Sequence, residues 1–383
     1  MKALNPGTAV VIALGASIVL SGCEPNDQSN GAIAVTSTDD KCDVAATEAP
    51  AGTLKFDVTN EGSKVTEFYL LGEDGLRIIG EVENIAPGLE RSLTVTAPEG
   101  KYFTACKPGM VGEGLRGDFT VTKGKGGEQV SAEDSQLAEQ ATTQYAAYVK
   151  DQTEQLLTGT EEFAKAYKDG DDDKARELYP KTRTNWERIE PVAESFGDLD
   201  PKLDLREADL EEGQEWTGWH RIEKDLWPPK DGYTAMSQAD RVKYADLLVA
   251  DTKILYDRTR SMTFTPDQLS NGAKELLDEV ATGKVTGEEE AWSHTDLWDF
   301  QANVDGARVA YEDLQPLLAT RDKDLDETLK TRFADLQTLL DSHRKGDGFV
   351  LYTELSQDEV KKLSDSVNAL SEPLSQLTDK VVG

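Results

Sequence analysis

The spacing of apolar residues changes once along the chain, and the change divides it. Up to about residue 123, apolar and polar positions alternate in twos. Leu54-Lys55-Phe56-Asp57-Val58-Thr59 is the clearest such run, with Asn60-Glu61-Gly62-Ser63 as the turn after it. Val65 to Leu71, Leu76 to Glu83, Ser92 to Thr96, Lys101 to Cys106 and Gly117 to Val121 continue the pattern. Gly72-Glu73-Asp74-Gly75 and Ala86-Pro87-Gly88 punctuate it. Short strands between Gly and Pro turns predict an all-β sandwich over 38–123. Gly-rich Thr122 to Glu128 marks a connector, giving a linker at 124–130. From Ser131 the period becomes 3.6. Ser131-Ala132-Glu133-Asp134 is a helix-capping signal, and Leu137, Ala141, Tyr145, Tyr148 and Val149 then share one face. Further helices are predicted over about 173–196, 206–226, 238–261, 266–283, 287–319, 323–344 and 357–380, with Pro180 and Pro191 kinking or ending the first of these. No strand pattern appears, so 131–383 reads as an all-α bundle.

The N-terminus has its own pattern. Lys2 precedes an apolar run from Ala9 to Leu20, too short to cross a bilayer and typical of an export signal over 1–22. Leu20-Ser21-Gly22-Cys23 closes it in the manner of a bacterial lipobox, which implies cleavage before Cys23 and a lipid anchor on that residue. Polar residues through Ser37 suggest a flexible tether over 23–37. The expected location is the outer face of the cytoplasmic membrane, in the cell envelope or periplasm. Cys42 and Cys106 remain. In an oxidising compartment they read as a disulfide, with a metal site using one or both as the alternative.

Composition excludes one class of partner. Asp and Glu number 73 against 41 Lys and Arg, a net charge of −32. A phosphate backbone requires a basic surface, so nucleic acid is not a partner. The acidity fits either a solubilising surface or a cation-handling one.

The candidate chemistry lies in the helical part. One of only three histidines sits in Gly218-Trp219-His220-Arg221-Ile222-Glu223. On a helix His220 and Glu223 lie on the same face, and imidazole with carboxylate suits iron or zinc. Taken alone, the pair is an ordinary helical hydrogen bond. Three acidic runs strengthen it. Trp186-Glu187-Arg188-Ile189-Glu190-Pro191 repeats the i,i+3 spacing, and Phe196 to Asp204 is an acidic loop. Gly287 to Asp299 carries Glu288, Glu289, Glu290, His294 and Asp296, and Thr286 with Glu289 fits a capping box that would start the helix holding His294 and Asp296. All six tryptophans border these helical runs. Helix bundles build metal sites from inward carboxylates and histidines, and buried like charges require a compensating cation. In the β part, Tyr102 to Cys106 followed by Met110 resembles the last-strand cysteine loop of cupredoxins. A blue-copper site needs two histidines, and that region has none, so such a centre is excluded. Glu67 and Glu83 are the candidates there for a second cation site.

The G-x-H-x-x-E run at Gly218 to Glu223, with Trp186 to Asp204 and Gly287 to Asp299, resembles the imelysin-like (M75 peptidase) family. A cupredoxin-like sandwich followed by an imelysin-like bundle on an exported chain is similar to the lipoprotein component of tripartite bacterial ferrous-iron uptake systems. The resemblance implies a non-catalytic protein that captures ferrous or ferric iron and delivers it to a membrane permease, alongside a secreted haem peroxidase of the dye-decolourising type. By motif match, Glu187, Glu190, Asp204 and one of Glu288 to Glu290 correspond to the family's acidic metal cluster, and His220 and Glu223 carry its signature; the candidate metal ligands are therefore His220, Glu223, Glu187, Glu190, Asp204, Glu289, Glu290 and Asp296. Zinc is expected as a substitute ion. The alternative is a metal-dependent peptidase of the imelysin type. A single histidine in H-x-x-E departs from the two-histidine H-E-x-x-H of zinc peptidases.

Overall fold

The structure, a computed structural model, describes residues 31–124, 131–210 and 213–382. The export signal, Cys23, the tether up to Asn30 and all of the linker but Gly124 lie outside the described residues.

The β part forms two facing sheets. Its strands are β1 (Ile33–Ser37), β2 (Cys42–Val44), β3 (Glu48–Pro50), β4 (Gly52–Asn60), β5 (Thr66–Leu71), β6 (Ile78–Ile85), β7 (Glu90–Ala97), β8 (Gly100–Cys106) and β9 (Leu115–Thr122). One sheet has the order β2-β1-β4-β7 and the other β3-β9-β8-β5-β6. The alternation explains the layering. Leu54, Phe56 and Val58 of β4 point inward with Phe68, Leu70, Val95 and Phe119, while Lys55, Asp57 and Thr59 point away. Cys42 and Cys106 are disulfide-bonded, tying β2 of one sheet to β8 of the other. Ile33–Ser37, placed in the tether by composition, is instead strand β1. It runs parallel to β4 with Val35 opposite Val58, and both Val35 and Ser37 are buried. Five residues with only two large apolar side chains are too few for periodicity to reveal.

The second part is helical: α1 (Ala132–Asp169), α2 (Asp172–Glu187), α3 (Asp200–Asp204), α4 (Gly218–Leu226), α5 (Gln238–Thr259), α6 (Pro266–Thr282), α7 (Asp296–Arg321), α8 (Lys323–Asp341), α9 (Gln357–Leu374) and α10 (Leu377–Val382). Ser131 caps α1 as expected, its hydroxyl accepting from the Asp134 amide at 3.0 Å. Several boundaries differ from the pattern. The helix expected over 206–226 begins only at Gly218. Pro180 lies within α2, which ends at Glu187, and Pro191 starts a 3-10 stretch, Glu190–Leu199. The helix expected from Gly287 starts at Asp296, and His294 precedes it with a left-handed backbone, φ 58°. A two-residue hairpin, β10 (Arg344–Lys345) with β11 (Gly348–Phe349), interrupts the all-α pattern and is too short to leave a signature.

The helices dock directly on the sandwich. The Thr96 amide donates to Asp267 Oδ2 at 2.8 Å, Asn271 donates to the Thr94 carbonyl at 2.8 Å, and Thr94 donates to Asp379 at 2.9 Å. These contacts join β7 to α6 and α10. They also bring the outer face of β6 over the helices that carry the acidic runs. In β6, Val82 faces Phe68 in the core, so Glu81 on the next position faces out with Tyr69.

Candidate metal centre

Two short structures bring the histidine to its partners. Gly218 opens α4 at φ +85°, and a Cβ there would lie 2.2 Å from the Leu203 carbonyl oxygen. Only glycine permits this approach of α4 to α3. The Thr217 hydroxyl donates to the Lys202 carbonyl at 2.9 Å, and the Trp216 indole donates to the Leu205 carbonyl at 2.7 Å. His220, two residues into α4, thereby faces Asp204 at the end of α3. A turn supplies the rest. After the 3-10 segment Lys284–Thr286, the chain turns through Glu289 and Glu290 before α7. Asp296 Oδ1 accepts the Glu290 amide at 3.1 Å and holds that turn in place.

His220 is fully buried and its two nitrogens have different surroundings. Nδ1 lies 3.1 Å from Glu223 Oε2. The other Glu223 oxygen accepts the backbone amides of Trp292 at 3.0 Å and Ser293 at 2.7 Å. Nε2 has no hydrogen-bond partner; it faces Asp204 Oδ1 at 3.4 Å and Glu289 Oε1 at 3.6 Å. Among the described residues, Asp204, His220 and Glu289 bring three ligand atoms within 4.8 Å of one another, and so do His220, Glu223 and Glu290.

The other expected residues converge on the same interior. Glu187 and Glu190, at the end of α2 and the start of the 3-10 stretch, both receive the Asn303 amide, at 2.9 and 2.6 Å. Glu290 accepts from Tyr179 at 3.2 Å and from Ser293 at 2.7 Å. Of the run Glu288 to Glu290, Glu288 stays at the surface. The capping box expected for Thr286 and Glu289 is not formed, because Gly287 turns left-handed at φ 77° and carries Glu289 inward. His294 likewise lies outside the helix predicted to hold it. The tryptophans divide. Trp186 and Trp219 are fully buried walls, and the Trp186 indole donates to Asp204 Oδ2 at 2.8 Å. Trp216 and Trp292 pair with ring centres 5.8 Å apart.

Two cations inside the cluster have no counterpart in the sequence reading. Arg183 of α2 is completely buried. Its guanidinium pairs with Asp204 and Glu187, and lies 2.7 Å from Glu290, 3.5 Å from Asp299 and 3.6 Å from Glu289. Lys284 Nζ lies 2.7 Å from both oxygens of Glu190 and 3.1 Å from Glu187 Oε2. The only sequence signal for Arg183 was its i,i+4 spacing to Glu187, a pattern that usually marks a solvated pair.

Burial would raise every carboxylate here, and the local charges decide which of them resist it. Arg183 and His220 hold Asp204 well below the usual range despite burial. Lys284 and His220 bring Glu289 down to about 2 against the same penalty. Burial and then the Arg183 charge push His220 down, but Asp204, Glu223 and Glu289 around it outweigh both and raise it. Glu290 and Asp299 go well up, through burial and neighbouring carboxylates, and burial pushes Asp296 up to about 7. The carboxylates held low are thus the three around His220: Glu223 at Nδ1, and Asp204 and Glu289 facing Nε2.

These two also line a cavity of about 230 Å³ that opens toward the sandwich. Glu81 and Glu83 of β6, Glu194 and Asp200, and Glu275 and Glu279 of α6 line the rest of it with Arg206. Glu67 is not on this wall. Its carboxylate is buried against the Tyr69 hydroxyl, 3.7 Å from Lys107 Nζ. Among the described residues, no set of three converging ligand atoms includes Glu67 or Glu83.

A disulfide-bonded sandwich docked on a helical domain that buries an imidazole among carboxylates defines a two-domain class, cupredoxin-like and imelysin-like. Residues 10–121 match the family model for the cupredoxin-like domain, and residues 141–377 match the model for imelysin, peptidase family M75. The chain belongs to the imelysin family. It is 37% identical over 348 residues to the iron uptake system component EfeO of Yersinia pestis, covering 90% of both chains. It is 38% identical over 349 residues, again 90% of both, to EfeO of Escherichia coli O6:K15:H31. An Efem/EfeO family lipoprotein of Staphylococcus haemolyticus is 42% identical over 269 residues, 70% of this chain and 92% of that one.

Proposed function

We propose that this protein is an iron-binding component of a cell-envelope iron uptake system, and that Asp204, His220 and Glu289 take the ion. The observation that carries this reading is the fully buried His220 Nε2, without a hydrogen-bond partner and facing the carboxylates of Asp204 and Glu289 at 3.4 and 3.6 Å. Glu223 orients the ring by engaging Nδ1, an arrangement common behind metal-binding histidines, so it acts one step back from the ion. Oxygen-rich donors with one nitrogen suit iron in either common oxidation state, with zinc as a workable substitute. Glu187, Glu190, Glu290 and Asp296 shape and balance the pocket. The cavity is the ion's entrance, and its carboxylates raise the local cation concentration.

Capture at the membrane surface fits a lipid anchor at Cys23, and the relatives' names support the uptake role. The cargo would pass to a membrane permease, with a secreted haem peroxidase as the accompanying partner. Hydrolysis is not required by this reading.

The test is direct binding. Wild type should take up Fe²⁺ under anaerobic conditions, and Zn²⁺ as a redox-silent probe. His220→Ala should lose that uptake while keeping helical circular dichroism. Glu223→Gln should weaken it by about 10–100-fold, as expected for an orienting partner. Undiminished binding in His220→Ala would move the site elsewhere. Chelator-sensitive cleavage of an unfolded polypeptide by wild type would favour the peptidase alternative.

A further inference from the structure

Arg183 occupies an unusual position for a protein that binds cations. Its guanidinium pairs with Asp204 and lies 3.6 Å from Glu289, the two carboxylates that flank His220 Nε2. It is completely buried, so water contributes nothing to its charge balance. A cation held by Asp204, His220 and Glu289 would adjoin this fixed positive charge, and in a low-dielectric interior the two repel strongly. The guanidinium has somewhere else to go. Glu290 and Asp299 lie by its Nε, at 2.7 and 3.5 Å, whereas its two terminal nitrogens meet Asp204, Glu187 and Glu289. Both Asp299 oxygens lack hydrogen-bond partners, so they can accept a shifted guanidinium, whose charge favours loss of the proton that burial otherwise keeps there. Lys284 is placed differently. It is held by Glu190 at 2.7 Å and lies 3.9 Å from Glu289, so it helps to compensate Glu289 but, among the described residues, makes no ion pair with Asp204.

We propose that Arg183 is a resident counter-cation, which an incoming divalent metal ion displaces from Asp204 and Glu289 toward Glu290 and Asp299. This rests on the metal-binding reading above and adds to it a mechanism of exchange. When no ion is bound, Arg183 keeps the carboxylates paired and the pocket folded. When an ion is bound, the displaced guanidinium competes for the same oxygens, lowering affinity and favouring release. A carrier needs that compromise, because a site with no internal competitor would hold its cargo too long to hand it on.

Zinc alone is the probe, with calorimetric binding and thermal melting of wild type, Arg183→Gln and Arg183→Lys. Arg183→Gln should melt below wild type in chelator, gain more from zinc, and bind zinc at least about tenfold more tightly. Arg183→Lys, which keeps the charge, should bind close to wild type. Equal or weaker zinc binding by a folded Arg183→Gln would overturn the proposal, as would equal tightening in Arg183→Lys. Should Arg183→Gln fail to fold, crystals of wild type grown with and without zinc decide the matter. The pairing of Arg183 with Asp204 should be broken beside the bound zinc, and an intact pairing there overturns the idea. A wild type that takes up no zinc at these residues defeats the metal-binding reading itself, which separates that failure from this one.

Discussion

At the scale of single residues, Gly218 determines whether the centre exists. Its left-handed backbone and the 2.2 Å approach of its missing Cβ to the Leu203 carbonyl leave no room for a side chain. Alanine would have to separate α4 from α3, carrying His220 away from Asp204. The expected cost is at least about 2 kcal/mol, from the strained conformation and the overpacking together. Gly218→Ala should therefore melt lower and lose zinc uptake together, whereas His220→Ala should lose zinc uptake alone. Retention of full zinc affinity in Gly218→Ala would show that the close approach does not set the ligand geometry. The same local logic made His220 and Glu223 legible in the sequence, since i,i+3 neighbours are fixed by the helix itself. It could not single out Asp204 and Glu289 as the partners of Nε2. One ends a five-residue helix and the other lies in a turn, and neither position follows from a period. Arg183 was hidden for the opposite reason: its spacing to Glu187 looks like countless surface pairs, and only tertiary packing buries it.

At the scale of elements, the strands that form the sandwich core were legible where alternation was long, as in β4, and illegible where strands were short, as in β1 and the β10–β11 hairpin. The disulfide compensates for the shortness of β2, a three-residue strand held to β8 across 64 residues of chain. Closing a loop of that length removes denatured-state entropy equivalent to about 4 kcal/mol in the chain-entropy picture. Cys42→Ser/Cys106→Ser should lower the stability of the sandwich by an amount of that order, read by denaturant unfolding with a β-specific signal. Zinc uptake by the folded double variant should be unchanged, because none of the proposed ligands is in the sandwich. A loss of zinc uptake in the folded variant would instead bring the β part into the site.

At the scale of the whole molecule, the two parts meet across carboxylates that oppose one another. Glu81 and Glu83 come from β6, Glu194 from the 3-10 stretch, and Glu275 and Glu279 from α6, with Lys274 the nearby cation on α6. Burial and then the charge of Glu194 push Glu81 well above the ordinary 4.5. Burial, reinforced by Glu83 and opposed by Lys274, pushes Glu275 up to about 8. An acid whose folded value is raised binds its proton more tightly in the folded state. Its stabilising contribution is therefore complete below about 4.5, the unfolded value, and is lost as pH rises through about 8. Asp204 and Glu289, held low, contribute in the opposite sense, but their contribution fades only under much stronger acid. Chelated protein should consequently melt at progressively lower temperature between about pH 5 and pH 8.5. Glu81→Gln/Glu275→Gln should make that slope shallower, because an amide has no proton to lose, while Glu83, raised to about 7, and Glu194, raised to about 8, keep part of it. Parallel slopes in wild type and double variant would locate the pH dependence away from this interface. A flattened slope would mean that docking of the sandwich on the helices weakens as the interface acids ionise.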